Sequence, residues 1–321
     1  MDIQLPDNQK NHATIVPAAG PAELASLEEQ SIIDIYKEHG AILFRGFTLD
    51  LERFSEFAAR FCSGFVTNKS AGREMLSQDG RVQTVNLGHG HFPLHPEMAR
   101  VPWQPDIAWF ACHQPARIRG ETNLCDGIAA ARAFSPELYS HLKSNSLEHR
   151  EPVSDDWCRQ YLQIPEITDE VLRAQSDEAF VHFSREDGQI YQTYVRPMLH
   201  KPMFSDSLAY GSFLVFARQQ LMVRDFPTYL GGSEVPDSVV QEIATVTNAQ
   251  AVSHQWQAGD LLMVDNTRFM HGRNPIGDPK TRRIYTQFGY VSFVPDDFPN
   301  ADKHPWRHPD RDGRAFDERF G

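Results

Sequence analysis

The sequence predicts an α+β fold with a mainly β core. The expected architecture is a double-stranded β-helix, a jelly-roll of the cupin kind, with flanking helices and a lid insertion. One domain is expected to span 1–321. Three observations lead there. Short apolar strand patterns crowd the stretches around the candidate functional residues. Helical spacing fills the N-terminal third and the middle. With 321 residues, 40% hydrophobic and 23% charged, the chain has the composition of a soluble globular protein.

Each element follows from local pattern. Residues 1–20 read as a polar arm. Ser31–Lys37 has amphipathic spacing and should stop at Gly40. Ala41–Phe44 is a short apolar strand closed by Arg45-Gly46. Leu51–Phe61 repeats Phe54, Phe57, Ala58 and Phe61 at helical spacing, so these should face a core. Residues 64–94 are rich in Gly, Ser, Asn and His and should be irregular, lying over a site. Ile107–Cys112 reads as a strand; Gly127–Ala133 and Pro136–Leu142 read as helices. Residues 150–188 are polar and acidic, as an insertion or lid would be. Gln189–Val195 has β character, and Asp206–Met222 and Ser238–Thr247 look helical. Three strands follow, Ala251–Trp256, Asp260–Val264 and Arg283–Val291. The tail 296–321, full of Pro, Asp, His and Arg, should wrap the surface.

Charge and cysteine content narrow the function. With 31 basic and 43 acidic residues the net charge is −12, which disfavours nucleic acid as a partner. No apolar run approaches the ~20 residues that span a bilayer, so no membrane partner is expected. Met1–Asp7 lacks the basic and apolar regions of a signal peptide. Cys62, Cys112, Cys125 and Cys158 form no C-x-x-C pair and read as thiols in a reducing cytoplasm.

His95 and Glu97, in Leu94-His95-Pro96-Glu97, form a His-x-Glu pair, and His271 ends Asp265-Asn266-Thr267-Arg268-Phe269-Met270-His271. Two imidazoles and a carboxylate can occupy one face of an Fe(II) ion and leave three positions open. On a strand end, residues i and i+2 face the same side, so His95 and Glu97 can reach one ion. His271 must come from another strand. Among 14 His and 43 acidic residues such a trio is weak alone.

The order and spacing of four pieces give it weight. Ala41–Phe47, Leu94–Glu97, Gly120-Glu121-Thr122, and Gly259–His271 followed by Arg282-Arg283-Ile284 together resemble the taurine dioxygenase/TfdA-like Fe(II)/2-oxoglutarate-dependent oxygenases, including clavaminate synthase-like members. The likeness runs from about Ala41 to Tyr290. It implies Fe(II) held by His95, Glu97 and His271, with 2-oxoglutarate and O₂ as cosubstrates. The far carboxylate of 2-oxoglutarate would take a hydroxyl from Thr122 and a guanidinium fork from arginine. Arg282 and Arg283 are strand neighbours, so only one can point inward. The family places its arginine directly before the apolar residue, here Ile284, which favours Arg283 over Arg282.

Two departures from the family pattern shape the expectation. The acidic ligand is Glu where Asp is more usual, which points to the clavaminate synthase-like subgroup. Sulfonate-binding members carry a second arginine four positions after the 2-oxoglutarate arginine; counted from Arg283, that position is Gln287. A taurine-like mode of substrate binding is therefore not expected. Glu97 also fills the position that a halogenating member leaves small, so hydroxylation is favoured over halogenation. The substrate would be small and amino-acid-like, in specialised metabolism. His91, Trp109, Arg196, Tyr285 and Gln287 are candidate substrate contacts. Desaturation or cyclisation would use the same iron chemistry. A zinc hydrolase would explain the triad but not Thr122 or the arginine. A non-catalytic 2-oxoglutarate sensor is a third reading.

Overall fold

The computed structural model describes every residue except 8, 21, 69, 71, 163, 177–180, 279–280, 297, 299–312 and 316–321, with the backbone alone at 160, 161 and 313–315. It mixes helix and strand and is mostly β. A nine-stranded sheet runs in the order Asp2–Gln4, Ala13–Val16, Ala41–Phe44, Leu261–Asp265, Ile107–Gln114, Arg283–Val291, Cys62–Asn68, Gly313–Ala315, with Gln83–Thr84 also paired to Arg283–Val291. A four-stranded sheet has the order Val252–His254, Thr122–Asp126, Phe269–Arg273, Phe92–His95, all antiparallel.

Alternation along the central strands separates two cores. Ala108, Phe110, Cys112, Ile284, Phe288 and Tyr290 share one buried cluster with Leu124 and Phe269 of the smaller sheet. The alternate residues Ile107, Trp109, Ala111 and Val291 face a second cluster with Phe54, Phe57 and Phe61. The candidate site lies between the sheets, where Phe110 meets the His271 ring at 4.9 Å.

Helix Glu29–His39 ends at Gly40, whose φ of 74° is the left-handed cap that glycine adopts without Cβ strain. Its Ile32, Ile33 and Tyr36 are buried, as the spacing of that segment requires. Helices Leu51–Ala59, Gly127–Ala133 and Pro136–Ser144 lie where their patterns place them, each N-capped by a side chain: Asp50, Asp126 and Ser135.

Three segments differ from expectation. The arm 1–20 carries the strands Asp2–Gln4 and Ala13–Val16 of the large sheet, with Ala13 and Ile15 buried. Within 64–94 the strand Cys62–Asn68 extends the large sheet; its mixture of Gly, Ser and Thr, with Val66 its one buried residue, hid the strand. In 206–222 only Leu214–Gln219 is helical, because Ala209–Tyr210 pairs with Leu199–His200 and Tyr210 packs edge-on against Phe134. Apolar residues on every side of this stretch made its period ambiguous. The 150–188 region carries the helices Asp155–Tyr161 and Asp169–Ala174. Val181–Glu186 within it pairs with Gln189–Pro197, and these two with Ser146–Val153 and Thr228–Tyr229 form a third sheet. Trp157, Leu172 and Phe183 join it to the inner core. Of the tail, 299–312 and 316–321 lie outside the described residues.

Candidate active site

Two rows of side chains across the small sheet build the site. In the first, His95 and His271 are partners on adjacent strands, with ring centroids 4.7 Å apart. Glu97 follows in the turn, and its Oε2 is 3.5 Å from His271 Nε2. One donor atom from each of the three lies within 4.8 Å of the others, close enough to share an ion. All three are buried.

Local contacts aim these donors. His95 Nδ1 lies 2.8 Å from the Pro93 carbonyl; donating its proton there leaves the Nε2 lone pair for a ligand. The backbone of Glu97 is clamped by Asn266, whose Oδ1 accepts Glu97 N–H at 2.7 Å. Asn266 Nδ2 donates to the carbonyls of Glu97 at 3.0 Å and Pro105 at 2.8 Å. Burial, helped by His271, pushes His95 down to about 3. Burial alone would raise Glu97, but Arg73, His271 and His95 hold it well below the usual carboxylate range. Near neutral pH His95 is therefore a neutral imidazole beside an ionised carboxylate, the protonation state that metal binding requires. Nitrogen and oxygen donors without thiolate fit Fe(II).

The second row lies two residues along the same strands. Thr122 is the ladder partner of Arg273, while Leu124 partners His271. Two residues span about 6.8 Å, comparable to the reach of a five-carbon diacid. Trp256 Nε1 donates to Thr122 Oγ1 at 3.0 Å, so the threonine hydrogen stays available to an anion. Arg282 Nε donates to the Gly120 carbonyl at 3.1 Å, and the residue lines the same cavity as His95, His271 and Thr122. Burial, with Arg273 nearby, pushes Arg282 down to about 10. Arg273 spends its terminal nitrogens on the carbonyls of Asn86, Gly88 and Gly90, organising the loop above the site.

The arginine preference is corrected. Arg282 is buried beside the site, whereas Arg283 is exposed and pairs with Gln114. Ile284 turns into the inner core, so alternation sends Arg283 outward and returns Arg282 inward. The apolar neighbour itself was the usable signal. Counted from Arg282, the fourth position is Thr286, not Gln287; its hydroxyl donates to the Trp109 carbonyl at 2.8 Å.

The five candidate substrate contacts are not gathered at the triad. Trp109 and Gln287 are cross-strand partners and share the outer face, where Trp109 packs on Phe57 and Phe61. Tyr285 also lies on that face and stacks on His113. His91 is exposed. Arg196 is buried in the third sheet and donates to Gln104, whose amide in turn donates to the Asn266 carbonyl, so it supports the turn from behind. Two residues escaped sequence reasoning. Asn68 donates to Glu97 Oε1, and Arg73 Nη2 lies 3.0 and 3.3 Å from the Glu97 oxygens. Both come from a stretch without periodicity, which offered no local signal.

Comparison with known proteins gives the family. The dapdiamide synthesis protein DdaC of Enterobacter agglomerans is 22% identical over 320 residues, covering 92% of this chain and 94% of its own. A clavaminate synthase-like protein of Arabidopsis thaliana is 23% identical over 268 residues, covering 76% and 80%. PvcB of Pseudomonas aeruginosa has been described as an Fe, alpha-ketoglutarate dependent oxygenase from an isonitrile synthetic pathway. Its structure superposes with a TM-score of 0.56 at 14% identity, over 89% of this chain and 91% of that one, a likeness of fold. The profile of the taurine catabolism dioxygenase TauD, TfdA family matches residues 10–287. The chain belongs to that family and is an Fe(II)- and 2-oxoglutarate-dependent dioxygenase.

Proposed function

We propose that the chain hydroxylates an unactivated C–H bond of a small, amino-acid-like molecule. His95, Glu97 and His271 would hold Fe(II), and Thr122 with Arg282 would hold the far carboxylate of 2-oxoglutarate. The two facing sheets are read as a double-stranded β-helix, with 150–188 as a lid insertion in one domain. The observation that carries the reading is the pairing of rows: His95 beside His271, and two residues further Thr122 beside Arg273 with Arg282 in the same cavity. A hydrolytic metal site needs the first row but not the second.

Bound iron and 2-oxoglutarate supply the oxidising power: substrate C–H, O₂ and 2-oxoglutarate become the alcohol, succinate and CO₂. The chain's own residues position and shield. Asn266 fixes the Glu97 backbone, and Trp256 orients the Thr122 hydroxyl. Phe110, Phe92 and Phe216 surround the two imidazoles and exclude water from the metal face. Glu97 occupies the position that a halide would need. Two of the similar proteins are named for biosynthetic pathways, which supports a substrate in specialised metabolism. No helix among the described residues is long and apolar enough to cross a membrane, and all four cysteines are free, as a cytoplasmic enzyme's would be.

Anaerobic addition of Fe(II) and 2-oxoglutarate should produce the weak visible charge-transfer band of the chelated cosubstrate. His95→Ala and His271→Ala should abolish both this band and succinate formation. Succinate formation retained in either variant would overturn the assignment.

A further inference from the structure

Arg73 is a third guanidinium in the cavity, and its contact with Glu97 uses only Nη2. It lines the same space as His95, His271, Thr122 and Arg282, and its side chain is 8% exposed. The guanidinium carbon lies 5.4 Å from the centre of the Phe288 ring, on the inner face of the large sheet. Nη2 reaches Glu97, while Nε and Nη1 are buried with no protein acceptor among the described residues. Buried donors without acceptors are costly, and a site retains them where a ligand completes them.

Charge points to the kind of ligand. Arg73, Arg273 and Arg282 line one cavity whose described lining holds no carboxylate, and Glu97 is paired with Arg73 at 3.0 Å. A divalent ion adds positive charge, and the 2-oxoglutarate dianion does not cancel the total. Arg273 is committed to three loop carbonyls and Arg282 stands at the Thr122 end, whereas Arg73 stands at the Glu97 end. Thr286, four positions after Arg282, offers no cation.

From this placement we infer that Arg73 binds a carboxylate of the organic substrate and thereby orients it over the metal. The inference rests on the function proposed above and deepens it. Guanidinium recognition of a carboxylate is charge-assisted and directional, so it can select an acid over its amide. An amino-acid-like substrate would therefore bind with its carboxylate free rather than amidated.

The test uses the full chain, anaerobic, at saturating Fe(II) and 2-oxoglutarate. The probes are the twenty proteinogenic L-amino acids, their N-acetyl derivatives, and the primary amide of each. Binding is read by calorimetry and by perturbation of the charge-transfer band. At least one acid should bind ten or more times tighter than its amide. Arg73→Gln should lose at least tenfold of that acid's affinity and narrow the acid-to-amide preference, while Arg73→Lys should restore part of both. A merely structural arginine would weaken acid and amide alike. Three results would overturn the inference: equal binding of acids and amides, an unchanged preference in Arg73→Gln, or no binding by any acid while the band is intact. Absence of the band in the unmodified protein would instead overturn the proposed function.

Discussion

Replacing Arg282 with Gln should weaken 2-oxoglutarate binding about 100-fold, while Arg283→Gln should stay within about twofold. The asymmetry follows from burial. Arg282 is pushed from 12.5 down to about 10, chiefly by desolvation. At ~1.4 kcal/mol per pH unit the charged form carries a penalty of roughly 3 kcal/mol in the folded protein. An anion beside it removes much of that penalty, and about 2.7 kcal/mol corresponds to ~100-fold in affinity. Arg283 is exposed, so its contacts are weakened by water. The same reasoning gives a second, opposite effect: without 2-oxoglutarate, Arg282→Gln should be more stable than the parent by ~1–2 kcal/mol, because an uncompensated buried charge is gone. Anaerobic titration of the charge-transfer band reads the first effect, and urea unfolding of the ligand-free protein reads the second. A stabilised variant that binds poorly cannot be explained by a damaged fold. The reasoning fails if Arg283→Gln loses tenfold or more while Arg282→Gln binds normally.

Three further outcomes are expected. Asn266→Ala strands three buried backbone groups around Glu97 and Pro105. At ~1–3 kcal/mol per unpaired group it should lose ~3–5 kcal/mol in urea unfolding, with weaker Fe(II) binding by calorimetry; a loss under 1 kcal/mol would count against the clamp. Gly272→Ala would place a Cβ 2.6 Å from the Phe92 carbonyl, between the His95 and His271 strands. Overpacking there should cost ~1–3 kcal/mol and reduce Fe(II) affinity; an unchanged midpoint and affinity would refute the close approach. His149, between the Tyr194 and Phe226 rings, is pushed down to about 3 by burial. The unfolded chain binds this proton below about 6.5 and the folded chain does not, so stability rises with pH between about 3 and 6.5. His149→Phe should flatten that rise, as unfolding midpoints measured from pH 4 to 7 would show.

Much of the site was readable because its chemistry is local. His-x-Glu places two donors on one strand end, and Asp265–His271 delivers the third from a strand whose sequence announces it. The helix ending at Gly40 and the strands Ala41–Phe44 and Arg283–Val291 were equally legible, since capping and alternation act over a few residues. The substrate candidates were less so. Trp109, Tyr285 and Gln287 lie on strands that do border the site, but on the other face of the sheet.

Sequence by itself determined the family and the elements that carry His95, Glu97 and His271, because motif spacing and periodicity survive without knowledge of the fold. Tertiary structure alone decided which of Arg282 and Arg283 enters the cavity, which face of each strand meets it, and that Asn68 and Arg73 come to Glu97. Those outcomes depend on the register between distant strands and on the path of an aperiodic loop. A one-residue change of register exchanges the two faces, and no short window of sequence records it.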